Sequence, residues 1–132
     1  MIFNVVGGGG KLPTPEEIGA LSMELLWENA SYTSAFANQH VALDLTEYDF
    51  LDVVFRISTT IGYDVVVRVI KGATTNCIGE NNAGKIITRI AATDNEKITI
   101  NGGYVYNSYG SYTSDDNYMI PKKIYGIKGV SA

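Results

Sequence analysis

The sequence of 132 residues contains one cysteine and one histidine, and each scarcity excludes a class of site. Because Cys77 is alone, the chain forms no intramolecular disulfide and no cysteine-based metal cluster. Because His40 is the only histidine, a zinc site built on two or more histidines is excluded. A lone cysteine without such partners is typical of a small buried hydrophobe or an inert loop thiol.

Long apolar runs and basic clusters are also missing. No stretch approaches the roughly 20 apolar residues of a membrane-spanning helix, so we expect no membrane insertion. Ten basic against fourteen acidic residues give a net charge of −4. The only adjacent basic pair, Lys122 and Lys123, is too small for a nucleic-acid surface. The start, MIFNVVGGGG, lacks the basic and apolar regions of a secretory signal, so we expect a protein that is intracellular or exported without its own signal.

Alternation of β-branched and other residues with a period of two is the strongest pattern present. It predicts strands in HVALDL (40–45), DVVFRIS (52–58) and YDVVVRVI (63–70), with TTIG (59–62) as a turn of hairpin length. Further strands are predicted at ELLWEN, GKIITRIA and KIYGIK, and KITINGGYVY (97–106) is typical of a hairpin with an Asn-Gly-Gly turn. Seven to nine short strands predict an all-β fold, an antiparallel, jelly-roll-like β-sandwich.

One helix is predicted near the start of the chain. Thr14 is a candidate N-cap, Pro15 occupies the first helical position, and Glu17 completes a capping box. Gly19 weakens the helix interior, so we expect a short helix over Pro15–Ser22. Residues 1–22 are then a connector, and residues 23–132 form the β-sandwich domain.

Catalytic and metal-binding motifs are weak throughout. GGGGK (7–11) lacks the first glycine and the final Ser or Thr of a phosphate-binding loop. His40 and Asp44 share a strand face without a nucleophile beside them. Acidic pairs in TEYDFLD (46–52) and SDDN (114–117) are typical of turns rather than of glycosidase or calcium sites. We therefore expect no enzyme activity, no cofactor and no metal.

Tyrosine is concentrated in one polar stretch, GYVYNSYGSYTSDDNYM (103–119). Alternation places Tyr104 and Tyr106 on one strand face, and the remaining tyrosines are predicted on a loop. Tyrosine among Ser, Gly, Asn and Asp is the composition of antibody binding loops. The predicted ligand-binding residues are Tyr104, Tyr106, Tyr109, Tyr112, Asp115, Asp116, Asn117 and Tyr118. In two alternatives, Tyr104 and Tyr106 pack on the sheet beside a solvated loop, or the tyrosines are buried against neighbouring subunits.

Three segments together resemble small β-sandwich domains of tail-fibre and minor structural proteins from phages and prophages of Gram-positive gut bacteria. They are PTPEEIGALS (13–22), the stretch LLWENASYTSAFANQHVALDLTEYDFLDVVFRI (25–57), and IPKKIYGIKG (120–129). The recurring positions are Leu26-Trp27-x-Asn29, the strand from Phe36 to Leu45, and Tyr48-Asp49. Physically, Trp27, Phe36, Val41, Leu43 and Leu45 are predicted to line the core, and the Tyr48 hydroxyl to bond to backbone.

The resemblance implies a non-enzymatic virion component, of a tail fibre or baseplate, that binds a host cell-surface ligand, carbohydrate above all. It implies a homotrimer that contacts other tail proteins and resides in the virion tail after synthesis in the cytoplasm of the bacterial host. Exposed apolar side chains at Ile18, Leu21, Met23 and Leu25 favour the same homotrimer. The alternatives are a bacterial carbohydrate-binding or adhesin module and a purely structural tail assembly protein.

Overall fold

The computed structural model of the chain describes residues 23–81, 83–107 and 110–128, and all regular structure in these ranges is β-strand. The predicted all-β class is confirmed. The predicted helix Pro15–Ser22 and the connector 1–22 lie outside the described residues. Within those ranges no helix has the length and apolar character needed to cross a membrane.

The ten strands are β1 Met23–Glu28, β2 Gln39–Ala42, β3 Phe50–Ser58, β4 Asp64–Ile70, β5 Thr74–Glu80, β6 Ile86–Thr93, β7 Lys97–Ile100, β8 Tyr104–Tyr106, β9 Tyr112–Ser114 and β10 Tyr118–Ile127.

These strands form two antiparallel sheets. The first sheet has the order β1-β10-β3-β4, with β3 and β4 joined through the predicted turn at 59–62. In the second sheet β5 pairs with one edge of β6, while β7 and β8 pair in succession with its other edge. Strand β2 then pairs with β7, and β9 pairs with β8.

The sequence pattern does not predict strand β5. Its residues Thr74–Glu80 read Thr-Thr-Asn-Cys-Ile-Gly-Glu, and only Cys77 is fully buried there. The core side of this strand carries a threonine, a cysteine and a glycine instead of β-branched aliphatic residues. The alternation that predicted the other strands is therefore absent, and its pairing with β6 places the strand instead.

A hydrophobic cluster of described residues lies between the two sheets. Phe55 and Ile57 of β3 and Ile87 of β6 are fully buried in it. Gly79 of β5 shows how close the sheets come, because a Cβ built there would lie 2.7 Å from the sulfur of Met119 in β10. The predicted core residues behave as expected: Phe36 and Leu45 are buried, and Trp27, Val41 and Leu43 are partly buried against the cluster.

Tyr48 is one of the buried residues of this core. Its ring is buried, but its hydroxyl donates to the carboxylate of Glu24 in β1, not to backbone as predicted. This bond, reinforced by the nearby charge of Lys128, lowers the pKa of Glu24. The same carboxylate and the burial of the ring raise the pKa of Tyr48 to about 12.

The hydrogen bond between Tyr48 and Glu24 predicts a pH dependence of stability. Because the folded pKa of Glu24 is below its unfolded value of 4.5, its contribution is present above that pH and is lost as the pH falls. Because the folded pKa of Tyr48 is raised, its contribution is present below pH 10 and is lost as the pH rises towards 12. Tyr48→Phe is expected to lower the urea midpoint at neutral pH and to flatten its change at both extremes.

The control for this experiment is Tyr63→Phe. The Tyr63 hydroxyl donates to the backbone carbonyl of Glu80, 2.7 Å away, so its loss removes a hydrogen bond without touching a carboxylate. The wild-type pH profile is expected to persist in that variant. A Tyr48→Phe profile that parallels the wild type at acid and alkaline pH would contradict the assignment.

Candidate functional site: a tyrosine face on the second sheet

The face of the second sheet that points away from the core carries a group of aromatic and aliphatic side chains. Register places them in two parallel rows across β5, β6, β8 and β9. We define the tyrosine face by these rows, which are Ile78, Thr88, Tyr104 and Ser114, and Glu80, Ile86, Tyr106 and Tyr112.

The three described tyrosines of this face form one cluster. The ring of Tyr112 lies 5.3 Å from that of Tyr104 in an edge-to-face arrangement and 5.5 Å from that of Tyr106 at a tilt of 41°. Tyr112 is 61% exposed, and Ile78 and Ile86 beside the cluster are also exposed. Single exposed apolar residues are common, but a contiguous group on one face is typical of an interaction surface.

A shallow depression adjoins the cluster. It has a volume of about 270 Å³ and is lined by Ala83, Gly84, Lys85, Ile86, Tyr106 and Asn107. An apolar floor from Ile86 and Tyr106 therefore meets an ammonium and an amide at the rim. The side-chain amide of Asn107 donates to the hydroxyl of Ser111, which orders this rim.

Tyr104, Tyr106 and Tyr112 lie on strands, and the backbone contacts of the two glycines before Tyr104 explain this placement. The predicted hairpin in KITINGGYVY is wrong, because β7 and β8 both run antiparallel to β6 along the same edge. Two-residue hairpin turns favour positive φ, and neither Gly102 nor Gly103 has it. The two glycines instead let the chain pass close to the turn at Asp115 and Asp116. The Gly103 N–H donates to the Asp116 carboxylate over 3.0 Å, and the Asp115 N–H donates to the Gly103 carbonyl over 2.8 Å.

Gly103→Ala tests this close approach. A Cβ at Gly103 would lie 2.3 Å from the backbone oxygen of Asp115, which cannot move without displacing β9. We expect the free energy of unfolding to fall by about 2–3 kcal/mol in urea titrations. At Gly62 the nearest atom to a new Cβ is 3.5 Å away on the flexible side chain of Arg56. Gly62→Ala should therefore change stability by less than about 1 kcal/mol, and equal effects at the two positions would refute the explanation.

Beneath this turn lies Arg89, the largest fully buried side chain of the described residues. Its guanidinium donates to the carbonyls of Asn101, Asp116 and Tyr118 over 2.9–3.1 Å. It also lies 5.5 Å from the ring centre of Phe36. Burial lowers the pKa of Arg89 to about 10, and the negative charges of Asp116 and Asp115 offset part of that effect. Arg89 thus joins two segments, the connection before β8 through Asn101 and the turn into β10 through Asp116 and Tyr118.

The polar residues predicted beside the tyrosines lie elsewhere. Asp116 accepts from the Gly103 N–H, and Asp115 accepts from the backbone and side-chain N–H groups of Asn117. The loop predicted for the later tyrosines is also wrong in part, because Tyr112 begins β9 and Tyr118 begins β10. Tyr109 lies outside the described residues. The tyrosine face therefore unites Tyr104, Tyr106 and Tyr112 from the predicted set.

A second cleft, of about 340 Å³, contains two other predicted residues. Asp115 and Tyr118 line it together with Asn81, Ala83, Lys85, Val105, Asn107 and Thr113. Val105 and Thr113 alternate with the tyrosines along β8 and β9, so the cleft opens on the opposite side of these strands. The cleft and the depression beside the tyrosine face share Ala83, Lys85 and Asn107.

Sequence reasoning did not find Ile78, Ile86, Lys85 or Asn107. Ile78 belongs to strand β5, which the sequence pattern does not predict, and Ile86 lies in a predicted strand for which no buried face is predicted. The alternation within GKIITRIA does carry a signal, since Ile87 and Arg89 are buried and Ile86 is not. The sequence carries no local signal for the pairing of Ile86 with Tyr106.

The groups tested for catalysis have other roles in the described structure. Asp44 accepts from the hydroxyl of Thr46 over 2.7 Å, and this bond with the Thr46 N–H lowers the pKa of Asp44. Asp52 is paired with Arg68. Burial raises the pKa of Cys77 to about 11, which disfavours a reactive thiolate. Among residues 23–81, 83–107 and 110–128, no group of three His, Cys, Asp or Glu side chains is placed to hold a metal ion.

Comparison of the chain with models of protein families, with curated proteins and with solved structures gives no match.

Proposed function

We propose that this chain is a non-enzymatic recognition domain that binds a carbohydrate on a bacterial cell surface through the tyrosine face. The observation that carries the proposal is the ring cluster of half-buried Tyr104 with exposed Tyr106 and Tyr112, beside the exposed Ile78 and Ile86 on a paired sheet. The resemblance to phage and prophage tail proteins supports a jelly-roll-like β-sandwich in a virion tail fibre or baseplate as its context.

Rings held on strands suit a sugar ligand. Each tyrosine offers a flat apolar ring and a hydroxyl, with little rotamer freedom to lose on binding. Hydrogen-bonded strands hold the backbone beneath the rings before the ligand arrives, which reduces the ordering cost of association. A pyranose has an apolar face that stacks on a ring and hydroxyls at its edge that need polar partners. Tyr106 supplies such a ring, and Lys85 and Asn107 lie beside it.

Two other functions would also use the tyrosine face. A bacterial carbohydrate-binding or adhesin module would bind sugar through the same tyrosines, so it differs in the protein's origin and not in its chemistry. In a purely structural tail assembly protein, a neighbouring subunit would cover the tyrosines. The exposed Ile78 and Ile86 favour that assembly role more than they favour sugar binding, because aliphatic side chains pack well in protein interfaces.

A glycan-array screen with the full chain, repeated on intact Gram-positive cells, tests the proposal. We expect selective binding to a small set of cell-wall glycans, with cell binding inhibited by the same glycans in free form. An array and a cell panel without binding above an unrelated β-domain would overturn the ligand role. Binding to cells that protease treatment removes and free glycans do not inhibit would replace carbohydrate with a protein receptor.

A further inference from the structure

The first sheet also exposes an apolar face on the side away from the core. We define the aliphatic face by residues of β1, β3, β4 and β10 that share this side through cross-strand register, namely Met23, Leu25, Glu28, Phe50, Asp52, Val54, Val66, Arg68, Ile70, Lys123 and Tyr125. Val66 is 58% exposed and Ile70 is 55% exposed, and both lie on the edge strand β4. Met23 and Leu25, on the opposite edge strand, are about half exposed, as expected from the sequence.

The charged side chains of the aliphatic face are paired with one another. Both oxygens of Asp52 accept from Arg68, over 2.9 and 3.1 Å, and Arg68 lies 5.7 Å from the ring centre of Phe50. Lys123 lies 3.9 Å from Glu28, again an opposite charge. The face is thus neutral on a chain of net charge −4. Two copies that meet through it bring together no unpaired charge and no like-charge excess.

We infer that a second copy of this chain covers the aliphatic face. Interfaces between identical subunits are richer in apolar and poorer in charged residues than transient ones, and Val, Ile, Leu and Met dominate the exposed positions here. The tyrosine face has the contrasting composition, with hydroxyls from Tyr, Thr and Ser. Self-association through the first sheet leaves the tyrosine face open.

The available area is sufficient for this partner. The strands β1, β3, β4 and β10 have 6, 9, 7 and 10 residues, and at about 3.3 Å per residue and a spacing of about 4.8 Å they cover roughly 500 Å². Counted on both copies, that is about 1,000 Å², which reaches the area expected of a specific interface. Side-chain relief increases the contact area further.

The experiment is light scattering on the full chain at micromolar concentration, with Ile70→Lys and a matched control, Ile78→Lys. The two isoleucines have the same exposure, 55%, but lie on opposite sheets. The wild type and Ile78→Lys are expected at a multiple of the chain mass of 14.3 kDa, and Ile70→Lys at 14.3 kDa. Both lysines replace exposed side chains, so circular dichroism and thermal melts should show folded proteins.

Two results would overturn the inference. One is a wild type of 14.3 kDa, which leaves the aliphatic face to another occupant. The other is dissociation by Ile78→Lys but not by Ile70→Lys, which assigns the contact to the tyrosine face. If Ile70→Lys fails to fold, Val66→Lys on the same strand gives the decisive comparison. The measured mass does not depend on glycan binding. The Ile70→Lys monomer should still bind a soluble glycan, because Ile70 lies outside the tyrosine face.

Discussion

Replacing Arg89 with methionine is expected to lower the free energy of unfolding by about 3 kcal/mol. Methionine fills a similar volume but cannot donate to the carbonyls of Asn101, Asp116 and Tyr118, which the guanidinium now satisfies. A buried acceptor left without a partner costs about 1–3 kcal/mol. The expected total is below the sum for three acceptors for two reasons. The Asp116 carbonyl keeps the Phe36 N–H as a donor over 3.0 Å. Removing a desolvated charge also offsets part of the loss. Urea titration followed by the fluorescence of Trp27 measures the change.

Arg56→Met is the matched control. Arg56 is half-buried, donates to the carbonyl of Ser58 over 2.9 Å, and lies 5.8 Å from the ring centre of Tyr32. Its loss should cost no more than about 1 kcal/mol. Equal losses of unfolding free energy for Arg56→Met and Arg89→Met would contradict the role of Arg89 in joining the segments that lead into β8 and β10. Arg89→Lys should fall between wild type and Arg89→Met, because one ammonium cannot reach three separate carbonyls.

The second large effect is expected from Tyr106→Ala combined with Tyr112→Ala. If the rings stack on a sugar, each contributes on the order of 1–2 kcal/mol to binding. The double variant should then lose about 100-fold in affinity for the glycan identified on the array, which corresponds to about 2.7 kcal/mol. Stability should change little, because Tyr112 is 61% exposed and Tyr106 is also exposed.

Tyr106→Phe with Tyr112→Phe is the control for this loss. Phenylalanine keeps both rings and removes both hydroxyls, so binding should fall only severalfold if stacking dominates. An equal 100-fold loss would show that hydroxyl hydrogen bonds carry the affinity instead. Full affinity in the double alanine variant would exclude the tyrosine face as the ligand surface.

Local alternation was sufficient to predict most strands and their inner faces. Val53, Phe55 and Ile57 of β3 alternate with polar or half-exposed neighbours, and the first two pair with Val67 and Val65 of β4 as a hairpin requires. The Asn-Gly-Gly segment predicts a hairpin wrongly because the same residues suit a tight turn or a close approach of two backbones. Only the position of Asp115, twelve residues after Gly103, distinguishes the two.

The tyrosine face could be predicted only in part for a related reason. Tyr104 and Tyr106 are two residues apart, so strand geometry alone places them together. Ile78 and Ile86 join them through pairing of β5, β6 and β8, which depends on long-range register. Nearness in sequence alone predicts Asp115 and Asp116 beside the tyrosines. Hydrogen bonds to Asn117 and Gly103 occupy those carboxylates instead.

The most direct test of the ligand surface is an NMR titration of the full chain with the glycan that the array identifies. Methyl signals of Ile78 and Ile86 and ring signals of Tyr106 and Tyr112 should shift in proportion to saturation. Methyl signals of Val66 and Ile70, equally exposed on the other sheet, should stay in place. Shifts confined to Val66 and Ile70, with Ile86 and Tyr106 unmoved, would contradict the proposal that the tyrosine face binds carbohydrate.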